Sequence, residues 1–537
     1  MNAAAFDRLA RALHVRLGRR AAIHAAAAAL IAPTAANAAG KRDRATATRA
    51  VSTQALSPAA VHRHGQTFVT WSERADLTGE SYRIYRHSAP ITSGNLAQAT
   101  LLAEVGKGSN LIWTDRYKHG GDSYDWQWRY LDRAVITDNG SPLPATTGLL
   151  VWTPNQADIT ALGGGNASYA VVTVPAAGAP SAPESATPVA ETVSDPRAIL
   201  ARTAEGGAVR VYLQFMNLRE WNPTFHAPRD NAHLGLDEND PRIPHALAYA
   251  YTYVVAGPNP AYCPGGTVPA RIPAYVRLHG WSDDSNSPDL STSPYWCAYE
   301  IRPIDTAQTW WFGFAEDCDY RTGATPANGD RVPNYTEERV LRMVDDLLHD
   351  PDLGATVDPE RLYVYGASMG GSGTLAFALR YPRTFAAAYA GEPMTNYATS
   401  GDGGGLDWRT DVDWKWGAIG RDLPILTRAR NGWGDHLARY DGTGVWTWQD
   451  HTAQLLDRRR DDMIPFGIAH GLQDDVIEWP TQGRPFYASL EQSGQVIGGR
   501  TIDMGHSWTG FNGLPHNLDV DNSLQPFAAM TAILSET

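Results

Sequence analysis

The chain predicts an α/β fold built on an eight-stranded, mostly parallel sheet, preceded by a smaller all-β module. Three observations carry this. From about residue 208 onward, short apolar runs alternate with stretches of helical spacing, the sign of strands joined by crossover helices. From about residue 55 to 175, apolar and polar residues alternate in short runs instead, as in strands with one buried face. Between the two, residues 176–207 open with a Pro-, Ala- and Ser-rich stretch and read as a linker. A length of 537 residues suits two or three domains, and an apolar fraction of 43% suffices for sizeable cores.

Residues 1–38 read differently from the rest. Arg8, Arg11, Arg16, Arg19 and Arg20 precede an Ala-rich apolar run from Ala21 to Ala32, and Ala36-Asn37-Ala38 follows. A positive region, an apolar core and a small-x-small site are the parts of a secretory signal peptide. The Arg19-Arg20 pair is compatible with twin-arginine export without selecting it. No other stretch has the ~18 apolar residues of a membrane span. The net charge is −13, and loss of that segment would make the remainder more acidic. Such a balance, without a basic stripe, argues against nucleic acid as a partner. Three cysteines, Cys263, Cys297 and Cys318, suit an exported protein with one disulfide and one thiol, and their spacing does not fit a zinc site.

In the first module, Thr67–Trp71 and Tyr82–Arg86 read as strands, followed by Leu101–Val105 and Tyr169–Val174. A Trp on an early strand, then Y-R-I-Y-R, then a late Y-A-V-V-T-V strand resembles a fibronectin type III domain over residues 55–175. The stretch Tyr117–Pro144 reads as an insertion in it. The module shows no catalytic set of its own.

In the second module the strand candidates are Val211–Met216, Ala248–Val255, Ala274–Leu278, Tyr299–Ile304, Arg361–Tyr365, Phe385–Ala390, Ile464–Ala469 and Arg500–Met504. A helix is expected at about Tyr335–His349, where Val340, Val344, Leu347 and Leu348 share a face and Asn334 with Glu337 makes a capping box. Residues 396–462 form an insertion with Trp408, Trp414, Trp416, Trp433, Trp446 and Trp448. Its aromatics suit either the core of a small cap or a wall against ring-bearing or acyl substrates.

Gly366-Ala367-Ser368-Met369-Gly370 matches G-x-S-x-G, a pattern that means little alone. Its context gives it weight. Leu362–Tyr365 is a buried-strand pattern directly before it, and Gly371–Leu379 a helical pattern directly after. A strand, a sharp turn and a helix expose a serine in a strained conformation, and flanking glycines remove side chains that would collide. A serine hydroxyl needs a base, and the base needs an orienting acid. Asp474 follows the strand Ile464–Ala469, and His506 follows the last strand, so both fall at the catalytic edge of a parallel sheet. Asp475 and Glu392 are rivals for the acid, and His470 is expected to be structural. The N–H of Met369 and that of Trp281, with Gly280 as runner-up, are expected to form the oxyanion hole.

Together the His279-Gly280 loop, Trp310-Trp311-Phe312-Gly313, the Asp358-Pro359 turn, G-A-S-M-G-G, the His470–Asp474 segment and the final Gly505-His506 resemble the α/β-hydrolase superfamily from about Ala208 onward. They look most like its secreted esterases, polyester depolymerases and prolyl-oligopeptidase-like members. The resemblance implies a serine carboxylic ester hydrolase needing no cofactor or metal, with a small-molecule or polymeric ester as substrate. It departs from prolyl oligopeptidases in lacking propeller-length repeats before the catalytic domain. The alternatives are a peptidase with the same triad and a binding protein on an inactive hydrolase fold. Oligomeric state is not legible. In such a sheet the second strand pairs with the fourth, so the resemblance implies a Cys263–Cys297 disulfide with Cys318 free.

Overall fold

A computed structural model describes residues 55–118, 126–221, 249–281, 297–305, 308–318, 326, 330–428, 432–458, 463–495 and 497–506. The expected signal segment, residues 1–38, lies outside them.

Among the described residues the first module holds nine strands. β1 (Ala59–Arg63), β2 (Gln66–Ser72) and β7 (Thr147–Trp152) form one antiparallel sheet. β3 (Ser81–His87), β4 (Thr100–Gly106), β8 (Ser168–Val174) and β9 (Glu184–Ser185) form a second, in the order β4-β3-β8-β9. In S-Y-R-I-Y-R-H of β3 every second residue is buried, which is the period of a strand with one face on a core. Trp71 of β2 meets Tyr82 of β3 with ring centres 5.4 Å apart, closing the two sheets on one another. β5 (Leu111–Lys118) and β6 (Trp126–Arg133) form a separate hairpin, which overlaps the expected insertion.

The second module is a nine-stranded mixed sheet. Its strands are β10 (Ile199–Ala204), β11 (Val209–Phe215), β12 (Ala250–Ala256), β13 (Ile272–Leu278), β14 (Tyr299–Pro303), β16 (Val357–Ala367), β17 (Ala387–Gly391), β19 (Phe466–Gly471) and β20 (Ile497–Ile502). They lie in the order β10-β11-β12-β14-β13-β16-β17-β19-β20. The first three join antiparallel, β12 runs antiparallel to β14, and every pairing from β14 to β20 is parallel. β15 (Val332–Pro333) and β18 (Ile425–Leu426) make a small parallel pair outside this sheet.

Among the described residues the sheet has nine strands, which corrects the expected eight. Ile199–Ala204, assigned from sequence to the linker, is an edge strand on β11, and Glu184–Ser185 of the same stretch pairs with β8. The capping box at Asn334 and Glu337 is also corrected. The Asn334 side chain makes no cap bond, and the Glu337 carboxylate instead takes Arg380 and the Tyr381 hydroxyl in a buried cluster. A long-range ion pair outcompetes the local motif there.

The two modules share one hydrophobic core. The rings of Phe68 and Phe215 lie edge to face at 5.4 Å, Gln66 Nε2 donates to Phe215 O at 3.1 Å, and Val151 N donates to Tyr249 Oη at 3.0 Å. Phe215 ends β11 and pairs with Ala250, close to where Tyr253 pairs with Pro303 at the C-terminal end of β14. The sandwich therefore docks toward the edge at which the parallel strands end.

Candidate active site

β16 is flanked on both sides by parallel strands, so its residues Leu362, Tyr363 and Val364 are all buried. The chain leaves β16 through Ser368 and at once enters the helix Met369–Arg380. Ser368 sits at φ 58°, ψ −124°, a conformation an L-residue holds only when its surroundings force it. The surroundings are specific. Ser368 N donates to Gly391 O at 2.9 Å, and Ser368 O accepts both the N–H and the hydroxyl of Ser372 at 2.9 Å. Ser372 Oγ also accepts Met394 N–H at 2.8 Å, tying the helix to the chain beyond β17.

The glycines of the motif answer to close approach. A Cβ on Gly370 would lie 2.1 Å from Leu278 O, and one on Gly371 would lie 2.1 Å from Gly391 O. The elbow is thus wedged between the ends of β13 and β17, and no larger residue fits at either position. The wedge places His279-Gly280-Trp281 beside the first turn of the helix. Met369 opens that helix, so its N–H has no carbonyl to reach within it and is free to serve an incoming oxyanion. Trp281 is described, and the chain directly after it lies outside the described residues.

A latch that sequence reasoning did not single out holds this loop. Asp305 N donates to His279 Nε2 at 2.9 Å, and Trp311 Nε1 donates to His279 O at 3.2 Å. Asp305 Oδ2 accepts Thr309 N–H and Trp311 N–H. Gln308, Trp310 and Trp311 all take positive φ, and a Cβ on Gly373 would lie 2.6 Å from the Trp311 side chain. The only sequence signal was the Trp310–Gly313 run, which named no partner.

Asp474 and His506 come together at the ends of β19 and β20. His506 Nδ1 lies 2.8 Å from Asp474 Oδ2, while Asp474 Oδ1 accepts the N–H groups of Val476 and Ile477 at 2.9 and 2.8 Å. A carboxylate only accepts, so Nδ1 donates to Asp474. Asp475 is exposed. Glu392 is buried, and its Oε2 lies 3.4 Å from His506 Nδ1. His470 donates from Nε2 to Ile477 O at 2.8 Å and fixes the turn that carries Asp474, which is the structural part expected of it.

Burial opposes a charge on His506. The charges of Asp474 and Glu392, the hydrogen bond to Asp474 and the charge of Asp475 outweigh it and lift the imidazole to about 9. Burial pushes His470 the other way. Glu392, Asp474 and His506 also offer ligand atoms within 4.8 Å of one another, the spacing of a metal set. A cation there would have to displace the 2.8 Å bond and take a protonated Nδ1, so hydrogen bonding accounts for the cluster better.

The tryptophans of the 396–462 insertion divide, with Trp414 and Trp433 partly exposed and the other four inside the cap. Trp408, Trp416, Trp446 and Trp448 are buried, and Trp416 stacks edge-on against Tyr397 and Trp446. They are the core of the cap. Trp281, which is partly exposed, touches this core through Trp408 at 5.2 Å.

The strand order, the single crossing β12–β14–β13 and the serine elbow after the central strand define a fold of the α/β-hydrolase class. Residues 351–418 match the prolyl oligopeptidase family, a stretch that contains Ser368 and Glu392 and stops before Asp474 and His506. No curated protein matches the chain. Among solved structures, the chain is similar to an S-formylglutathione hydrolase from Agrobacterium tumefaciens, at 16% identity over 58% of this chain and 94% of that one, with a TM-score of 0.33. It is similar to a puromycin hydrolase at 15% identity, over 67% of this chain and 46% of that one, with a TM-score of 0.32. It is similar to esterase B from Lactobacillus rhamnosis at 10% identity, over 62% and 90%, with a TM-score of 0.34.

Proposed function

We propose that the chain is a secreted serine hydrolase that cleaves carboxylic esters, of small, aromatic or polymeric substrates, through an acyl-enzyme. The carrying observation is the strained Ser368 elbow in the same strand-end cluster as a buried His506–Asp474 pair. Ser368 Oγ attacks the ester carbonyl while His506 Nε2 takes its proton, and Asp474 holds Nδ1. The N–H groups of Met369 and Trp281 stabilise the oxyanion. His506 returns the proton to the departing alkoxide. Water, deprotonated in turn by His506, then releases the acid and restores Ser368. An alkoxide leaves with less protonation than an amine. The order β1-β2-β7 against β4-β3-β8-β9 supports a fibronectin type III-like module. The Cys263–Cys297 disulfide, with Cα atoms 4.8 Å apart, suits an exported protein, and among the described residues no helix is long and apolar enough to cross a membrane.

The match of residues 351–418 to the prolyl oligopeptidase family favours a second reading, a serine peptidase using the same groups. A fluorophosphonate probe should label the full chain at Ser368 and not label Ser368→Ala. Labelling at another residue overturns the assignment. Esters and anilides sharing one acyl group separate the two readings by kcat/KM. A proline-containing anilide turned over as fast as the best simple ester would establish the peptidase.

A further inference from the structure

Two buried carboxylates, not one, approach the same nitrogen of His506. Asp474 comes from the turn after β19, and Glu392 from the residue directly after β17. We infer that Glu392 is a second positioning acid for His506, acting beside Asp474 on Nδ1 and setting the pH at which the base becomes available. The inference rests on the serine-hydrolase reading of the site and deepens it.

Three features of Glu392 are hard to explain as packing alone. Its carboxylate lies 3.4 Å from Nδ1, with only 3% of the residue exposed. Taking a carboxylate out of water is unfavourable unless a partner compensates, and His506 is such a partner. Glu392 also adopts φ 46°, which few non-glycine residues do and which recurs where function fixes the backbone. Finally, its backbone is tied to both sides of the site. Glu392 N donates to Ala469 O at 2.7 Å, and the carbonyl just before it, Gly391 O, accepts the N–H of Ser368. The nucleophile and the second acid are therefore held by one stretch of chain.

The groups facing His506 decide the sign of the effect. Asp474 and Asp475 face it from the turn after β19, Glu392 from the end of β17, and His470 from β19 itself. Burial lowers His470 and so disfavours a charge on that ring. The three carboxylates favour imidazolium, whereas catalysis needs the neutral ring. Removing one of them should make the base available at lower pH. A merely structural role for Glu392 would alter folding or rate and leave that pH unmoved.

The test uses the full chain and the second-order rate of fluorophosphonate labelling at Ser368 as a function of pH, a readout independent of substrate identity. In Glu392→Gln the midpoint of the acid limb should fall by roughly one pH unit. Glu392→Asp keeps the charge but draws it back by one methylene, so its midpoint should fall by less. That variant decides the question if the glutamine variant does not fold. In an Asp474→Asn background, Glu392→Gln should slow labelling at least about tenfold more than it does in the wild type, because the second acid is then the only one. An unshifted midpoint in both Glu392 variants, with labelling at Ser368 intact, overturns the inference and leaves the hydrolase reading standing. No labelling of the wild type at Ser368 overturns the hydrolase reading, and this inference with it.

Discussion

Asparagine at position 474 should disable the site while sparing the fold, and the hydrogen bonds around Asp474 say why. Asp474 Oδ1 accepts two backbone N–H groups, from Val476 and Ile477, and Oδ2 faces His506 Nδ1 at 2.8 Å. An asparagine keeps both backbone bonds only by leaving its oxygen where Oδ1 was. Its NH₂ then faces Nδ1. A donor facing a donor is repulsive, so only Glu392, at 3.4 Å, still holds the proton on Nδ1, and part of the imidazole carries it on Nε2, the nitrogen that must take the proton of Ser368. A base wholly in the wrong tautomer costs about 10⁴ in kcat, or ~5.5 kcal/mol of transition-state stabilisation, and Glu392 keeps the loss below that limit. Stability should fall by less than in Asp474→Ala, because both backbone N–H groups keep their acceptor and only the pairing with His506 is lost. Asp474→Ala would strand both N–H groups at about 1–3 kcal/mol each and should lower the unfolding midpoint visibly. Fluorophosphonate labelling and ester turnover read the first effect, and denaturant unfolding reads the second. An asparagine variant within tenfold of the wild type at its own best pH would refute the tautomer argument. So would a loss of stability equal to that of the alanine variant.

Three other outcomes follow from the structure. With His506 lifted to about 9, most rings are imidazolium at neutral pH, so kcat/KM should climb with pH through a midpoint near 9. A midpoint near that of an ordinary histidine would show that the carboxylates do not act on it as placed. Phe68→Ala removes a buried ring that packs on Phe215 at the junction of the modules, and should cost about 3–5 kcal/mol in denaturant unfolding of the whole chain. A loss confined to a separate early transition would show that the modules unfold independently. Peptide mapping without reduction should recover Cys263 linked to Cys297 and a free Cys318. Replacing both partners by serine should cost roughly 4 kcal/mol, the closure of a loop whose ends are 34 residues apart.

What the sequence could announce was what is local. Ser368 stands out because the strand before it, the turn and the helix after it are written within twenty residues, glycines included. The parallel strands from β13 to β19 were legible as mostly apolar runs, since both of their faces are largely buried. β10 was not. I-L-A-R-T-A pairs on one side only, so most of it meets water and carries little apolar signal. Glu337 was misread because its partner, Arg380, is 43 residues away. The cap tryptophans were ambiguous because composition does not say whether an indole faces a core or a ligand. The acid falls in the same class. Three acids competed on the sequence, and the deciding information was the pairing of strands, which no local window contains. Gly391 of β17 pairs with Ala469 of β19, and Ala469 O then receives Glu392 N. That register carries Glu392 beside the turn that bears Asp474. Slipping it by one residue would turn the carboxylate to the opposite face of the sheet. The second acid on His506 is thus a property of how two strands far apart in sequence align.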